Sequence, residues 1–311
     1  MRKIIRIGTR ESQLAVWQAE QVRQLLAAKG YNAELVYIKS EGDIDLVTPL
    51  YEMGVQGIFT RSLDFALLNN RVDLAVHSLK DVPTQLPQGL SQAAVLKRGP
   101  VNDLLVYKGE SPVKNGEWEF SKPVCHIATS SIRRQSQWLN RFPGHEVHNL
   151  RGNVNTRLQK LANESWDGAI FAQAGLERIG IRPENSAEID WMLPAPAQGA
   201  ITVVCRREDR FSIEACRSFN DNDTEICTRI ERDFLRALLG GCSTPISALA
   251  EKNDDEIIFR GNILSLDGKK RKDISKTLNA EAFATAGKEI AEELLATGGD
   301  EILRSIKDAV S

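Results

Sequence analysis

The chain has 311 residues, 42% of them hydrophobic and 26% charged, enough for two or three domains with cores of their own. A formal net charge of −2 excludes a general nucleic-acid binder and makes any basic site a local one. No apolar run is long enough to span a bilayer or serve as a secretory core. The five cysteines are odd in number and lack Cys-x-x-Cys spacing, as expected of reduced thiols in the cytoplasm. His145 and His148 are joined by no cysteine or acidic cluster at ligand spacing, so no metal is expected.

Ile4–Ile7 reads as a buried strand, followed by the turn Gly8-Thr9-Arg10-Glu11-Ser12. A helix comes next, with Ala15, Ala19, Val22 and Leu26 on one face, and Gly30 stops it. Ala33–Lys39 completes a βαβ unit, whose first turn lies where open α/β sheets bind ligands. Arg10 and Ser12 suit a carboxylate or phosphate there, or equally a solvated arginine beside an N-cap serine. Residues 40–56 are weakly patterned, and a loop of that length in a compact domain is usually functional or disordered. A helix is expected from Phe59 to Asn69. The strand Val72–Val76 then runs into His77-Ser78-Leu79-Lys80-Asp81-Val82-Pro83, an acid and a base just past a strand end. Taken alone, Lys80-Asp81 reads more readily as a surface pair than as a catalytic one.

Gln92–Leu96 is a strand, and Lys97-Arg98-Gly99-Pro100 a hinge. Beyond it come strands at Asp103–Tyr107, Cys125–Thr129, Glu146–Leu150 and Gly168–Ala172, with a loop over Lys108–Pro123. The last three strands each lead into a turn bearing arginine: Arg133 and Arg134, then Arg151 and Arg157, then Arg178 after Ala174-Gly175. If those strands are parallel, the arginines share one edge and suit a polyanion, since guanidinium forks grip carboxylates bidentately. Nucleic acid is the poorer polyanion here, because the turns lack interleaved aromatics.

The connector Leu193-Pro194-Ala195-Pro196-Ala197-Gln198-Gly199 leads to the strand Ile201–Cys205, which returns to the first sheet. Helices follow at Ser212–Phe219 and Glu225–Leu239. Two strands are expected at Ile246–Glu251 and Glu256–Leu266, then helices at Ala280–Ala296 and Glu301–Ala309. The fold class is therefore α/β: two lobes of the periplasmic-binding-protein kind joined by a double crossover, with a cleft between them, plus a C-terminal α+β domain. The expected boundaries are 1–97 with 199–217, then 101–194, then 218–311. Between the helix from Glu225 and the following strand lies Leu238-Leu239-Gly240-Gly241-Cys242-Ser243-Thr244-Pro245. Gly-Gly ends the helix and Pro245 prevents its resumption, so Cys242 sits on a short turn, as an inert capping residue or as a reachable thiol.

Six runs, in this order and at these spacings, resemble the porphobilinogen deaminase (hydroxymethylbilane synthase) family. They are Ile7-Gly8-Thr9-Arg10-Glu11-Ser12, Val76-His77-Ser78-Leu79-Lys80-Asp81-Val82-Pro83, Thr129-Ser130-Ser131-Ile132-Arg133-Arg134-Gln135, Leu150-Arg151-Gly152-Asn153-Val154-Asn155-Thr156-Arg157, Pro196-Ala197-Gln198-Gly199-Ala200 and Gly240-Gly241-Cys242. The resemblance implies a dipyrromethane cofactor on Cys242 through a thioether, made from the substrate porphobilinogen. Four porphobilinogen units are joined to it head to tail with loss of ammonia, and hydrolysis releases hydroxymethylbilane. It further implies Asp81 as the catalytic acid, which pairs with pyrrole N–H groups and stabilises developing positive charge. Ser78, Lys80, Asp81, Ser131, Arg133, Arg134 and Gly175 would hold the cofactor. Arg10, Ser12, Arg151, Arg157, Arg178 and Gln198 would hold the substrate. The family is usually monomeric, with no nucleic-acid or membrane partner.

The chain departs from the commoner family pattern at Val55-Gln56-Gly57-Ile58-Phe59, where Gly-Lys-Gly-Leu-Phe is usual, and at Asn155, where glycine is common. Two rival readings rest on the residues alone. One is a two-lobed small-anion binding module without catalysis. The other is a cysteine-nucleophile acyl transferase or hydrolase, for which no histidine partner of Cys242 is evident.

Overall fold

Alternation along Ile4–Thr9 sends Ile5 and Ile7 to one face of a sheet, where both are fully buried against Ala19, Val22 and Leu26 of the helix Gln13–Ala28. The opposite face carries Gly8. A Cβ there would stand 2.9 Å from Leu63 Cδ2 and 3.1 Å from Val72 Cγ2, so glycine is what lets the helix Arg61–Leu68 lie close to the strand. Helices thus cover both faces of this sheet, as its parallel strands require.

The computed structural model describes residues 3–39, 60–238, 244–279 and 283–310. The stretch 40–56, with its departure at Gln56, the expected helix start at Phe59 and the Cys242 turn lie outside the described residues. The chain divides into two compact units. One comprises the described residues up to Gly99 together with Gln198–Ile226; the other comprises Pro100–Ala197 and the described residues from Cys227 onward. The chain therefore leaves the first unit and returns to it, the double crossover expected from its hinges.

In the first unit five strands lie in the order Asn32–Tyr37, Ile4–Thr9, Leu74–Ser78, Ile201–Arg206, Leu90–Val95. Ile4–Thr9 is parallel to both of its neighbours, whereas the returning strand Ile201–Arg206 is antiparallel to both of its own. The second unit has the order Ser186–Ile189, Asp103–Tyr107, Gly168–Ala172, His126–Ala128, Glu146–His148. Gly168–Ala172, His126–Ala128 and Glu146–His148 are parallel, and Asp103–Tyr107 runs against them. Trp138 is fully buried in this core, edge-on to Trp118 and Phe120.

The same unit carries an antiparallel sheet of Ile246–Asn253, Glu256–Leu264 and Arg271–Asn279, one strand more than the sequence pattern suggested. Helices Ala286–Leu294 and Asp300–Val310 follow it. Glu231, fully buried, accepts hydrogen bonds from Ala197 N (2.6 Å) and Ala250 N (2.7 Å), tying the proline-rich connector to this sheet. Among the described residues no helix is long and apolar enough to cross a membrane. Cys125, Cys205, Cys216 and Cys227 are buried and form no disulfide.

Candidate active site

Each unit gathers its candidate residues at one edge of its sheet. In the first unit the parallel strands Ile4–Thr9 and Leu74–Ser78 end side by side, so Arg10–Ser12 and Leu79–Asp81 share an edge. The returning strand begins there too, Ile201 lying opposite Ser78, which brings Gln198 to the same place. Ser12 Oγ caps the helix Gln13–Ala28 by accepting from Ala15 N at 3.4 Å. Ser78 Oγ accepts from the buried Gln18 side chain at 2.8 Å. Leu79–Asp81 forms a single 3-10 turn whose first amide donates to Ala200 O. Lys80 Nζ donates to the buried Gln198 Oε1 at 3.2 Å.

Asp81 is half-buried and, among the described residues, has no hydrogen-bonding or ion-pair partner. His77, the penultimate residue of the strand Leu74–Ser78, is buried. Desolvation, aided by the charge of Arg10, pushes its imidazole down to about 3, so it is neutral at any working pH. A neutral, buried His77 leaves this edge's exchangeable polar groups to the turns at Arg10–Ser12 and Leu79–Asp81.

In the second unit the three arginine-bearing turns follow three mutually parallel strands and do fall at one edge. Ser131 caps the helix Ile132–Arg141, its Oγ accepting from Arg134 N at 3.5 Å. Arg133 and Arg134 are buried on that helix. Arg133 donates to Leu193 O and Asp103 Oδ2, both at 2.7 Å; Arg134 donates to Ile170 O at 3.0 Å and Asp103 Oδ1 at 2.8 Å. Burial and its arginine neighbour pull Arg133 below the ordinary guanidinium range, against the pull of Asp103. One fully buried carboxylate thus serves two guanidiniums, and the cluster keeps one net positive charge. The Nε atoms of both arginines are buried without a hydrogen-bond partner.

Arg151 is buried at the next turn. Gly152 beside it has φ +115°, and a Cβ there would stand 2.8 Å from Thr156 Cγ2. Asn153 caps the helix Val154–Asn163, and Arg157 Nε donates to Gly152 O at 2.7 Å, closing the turn on itself. Asn155 lies exposed within that helix, where an ordinary residue fits. Ser130 Oγ hydrogen-bonds Leu150 O and accepts from Leu150 N, locking the first two turns together. After the third strand, Gly175 lies in the short helix Gln173–Glu177, and burial lowers the adjacent Arg178 to about 10, still fully charged near neutrality.

Asp103 is the residue that sequence reasoning missed. Its signal was weak: one aspartate at the head of a strand, matched to arginines thirty positions away. Cys242, the expected cofactor attachment point, lies outside the described residues.

Comparison with known proteins gives one consistent result. Residues 5–214 match the family model for the porphobilinogen deaminase dipyrromethane cofactor binding domain, and residues 225–296 match the porphobilinogen deaminase C-terminal domain. The chain is 38% identical to a porphobilinogen deaminase of Chlorobaculum tepidum over 314 residues, covering 99% of each. It is 40% identical to a probable porphobilinogen deaminase of Methanocella arvoryzae, covering 95% of this chain and 96% of the relative. Among solved structures, the periplasmic VFT2 domain of Bordetella pertussis BvgS is similar with a TM-score of 0.42 at 15% identity, over 71% of this chain and 89% of that one.

Proposed function

The chain belongs to the porphobilinogen deaminase family, and we propose that it carries out that family's reaction with the residues described above. Four porphobilinogen units are joined head to tail on a dipyrromethane primer borne by Cys242, four ammonia molecules are lost, and water releases hydroxymethylbilane while the primer stays. We propose further that it acts as a monomer in the cytoplasm, and that 218–311 forms the domain that bears the primer.

The residues present fit such a primer. Each pyrrole carries an acetate and a propionate. The Asp103 cluster retains a net positive charge and two buried Nε donors that carboxylates would satisfy. In this reading Ser78, Lys80, Asp81, Ser131, Arg133, Arg134 and Gly175 hold the primer, while Arg10, Ser12, Arg151, Arg157, Arg178 and Gln198 receive substrate. When bound, the dipyrromethane supplies a free pyrrole α-carbon as the first acceptor.

The protein's part is electrostatic and prototropic. Arginines neutralise the accumulating carboxylates. The Asp81 carboxylate accepts pyrrole N–H groups and favours the positive charge that spreads over the substrate ring as its C–N bond breaks. The same oxygens take the proton displaced from the acceptor α-carbon, balancing the proton that leaves with ammonia.

The observation that carries this reading is the half-buried Asp81 at the sheet edge shared with Arg10 and Lys80. Asp81→Asn tests it. Turnover of porphobilinogen should fall by about 10²–10⁴-fold with the circular dichroism spectrum and melting temperature retained. A variant that keeps most of its turnover overturns the role given to Asp81.

A further inference from the structure

In the second unit His126 and Glu146 are register partners on adjacent parallel strands, and His148 follows two residues after Glu146. Side chains two apart on a strand share a face, so all three point the same way, opposite the buried Ile127. Backbone bonds hold the frame: Glu146 N donates to Cys125 O, Thr129 N to His148 O, and His126 N to the Asp167 carboxylate. Trp166 lies near-parallel to the His148 ring at 6.2 Å between centroids.

Within that frame His126 Nδ1 and His148 Nε2 lie 2.9 Å apart. Glu146 Oε2 stands 3.3 Å from the first and 3.9 Å from the second. The three ligand atoms all fall within 4.8 Å of one another. The two nitrogens stand at hydrogen-bond distance, and a small turn of the half-exposed rings brings both lone pairs onto one ion at metal–nitrogen bonds of about 2.0–2.1 Å. Glu146 is exposed and has the rotamer freedom to close on the ion, and the rings are 42% and 35% exposed, so solvent completes the coordination.

We propose that His126, His148 and Glu146 form a site for a divalent first-row transition ion of the kind imidazole suits, nickel(II), copper(II) or zinc(II). Both imidazoles ligate in the neutral form. The proton shared between the two facing nitrogens moves through solvent to an outer ring nitrogen as the ion enters. The ion would pin together the two strands whose ends carry the Ser131 and Arg151 turns. The set escapes a reading by spacing because Cys125–Thr129 and Glu146–Leu150 are twenty residues apart in sequence and converge only through the sheet register.

The test is calorimetric titration of the purified cofactor-bearing protein with nickel chloride, repeated with zinc chloride. One equivalent of nickel should bind with micromolar affinity, and zinc should compete for the same site. His126→Gln and His148→Gln should each weaken it by more than the roughly 10–100-fold that loss of an outer-shell partner costs, while porphobilinogen turnover is retained as evidence of folding. Copper(II) bound to the wild type should give a tetragonal electron paramagnetic resonance spectrum with splitting from two nitrogens. Nickel binding that survives unchanged in the double variant His126→Gln/His148→Gln overturns the proposal. So does the absence of saturable binding by the wild type.

Discussion

Asp103 Oδ1 accepts a hydrogen bond from Arg134 Nη2 at 2.8 Å in the interior of the second unit. Its other oxygen takes Arg133 Nη2 at 2.7 Å, and all three side chains are nearly inaccessible to solvent. Removing the one carboxylate leaves two buried guanidiniums facing each other. Asp103→Asn is expected to cost about 3–5 kcal/mol of unfolding free energy, read from urea denaturation with porphobilinogen deaminase turnover measured alongside. A loss below about 1 kcal/mol would mean that the cluster is hydrated rather than buried.

The position of Asp103 also shows why part of the site was not legible in the sequence. Asp103–Tyr107 runs antiparallel to Gly168–Ala172 and sets Asp103 opposite Ala172, at the edge where the parallel strands end. Strand direction decides this, and hydrophobic pattern says nothing about it. Arg10, Lys80 and Asp81 could be placed at a strand end because the apolar strands Ile4–Thr9 and Leu74–Ser78 precede them, while the roles expected of them came from the family resemblance. The short hairpin of Val113–Lys114 and Glu117–Trp118 was legible in principle: Asn115-Gly116 has φ values of 52° and 83°, the hairpin turn that this dipeptide favours. The strand Arg271–Asn279 was not, because the half-buried face of this strand is Lys272, Ile274, Lys276 and Leu278. There lysine stems cover apolar surface and hide the alternation.

A pH prediction follows from His77. Its folded value is depressed to about 3 from an ordinary 6.5. Between those values the unfolded chain binds a proton that the folded chain does not, so this group's contribution is fully present above 6.5 and is lost as pH falls towards 3. Asp64, raised to about 6 by burial, acts oppositely: between 3.8 and 6 the folded state holds the extra proton. The two oppose each other in the wild type, so the informative quantity is a difference between proteins. His77→Asn should lose acid sensitivity between pH 6.5 and 4, by up to one proton's worth of slope, in urea midpoints measured across that range. Parallel curves for wild type and variant would contradict a buried neutral His77.

Gly152 links backbone geometry to the arginine edge. Gly152→Ala combines positive φ with a Cβ placed 2.8 Å from Thr156 Cγ2. A cost of about 1–3 kcal/mol is expected, together with a raised KM for porphobilinogen, because the strained turn is the one that carries Arg151 and is closed by Arg157. Thr156→Ser should relieve part of the stability loss by removing the clashing methyl. Failure of that rescue would place the effect outside the turn.

The central claim is that Cys242 carries the primer on which the chain grows. Its most direct test is the intact mass of the purified protein with peptide mapping around Cys242. The account predicts an added mass equal to two porphobilinogen units less two ammonias, located on Cys242 and absent from Cys242→Ser. A Cys242 that stays unmodified after incubation with porphobilinogen, or an adduct mapped to another cysteine, would contradict it.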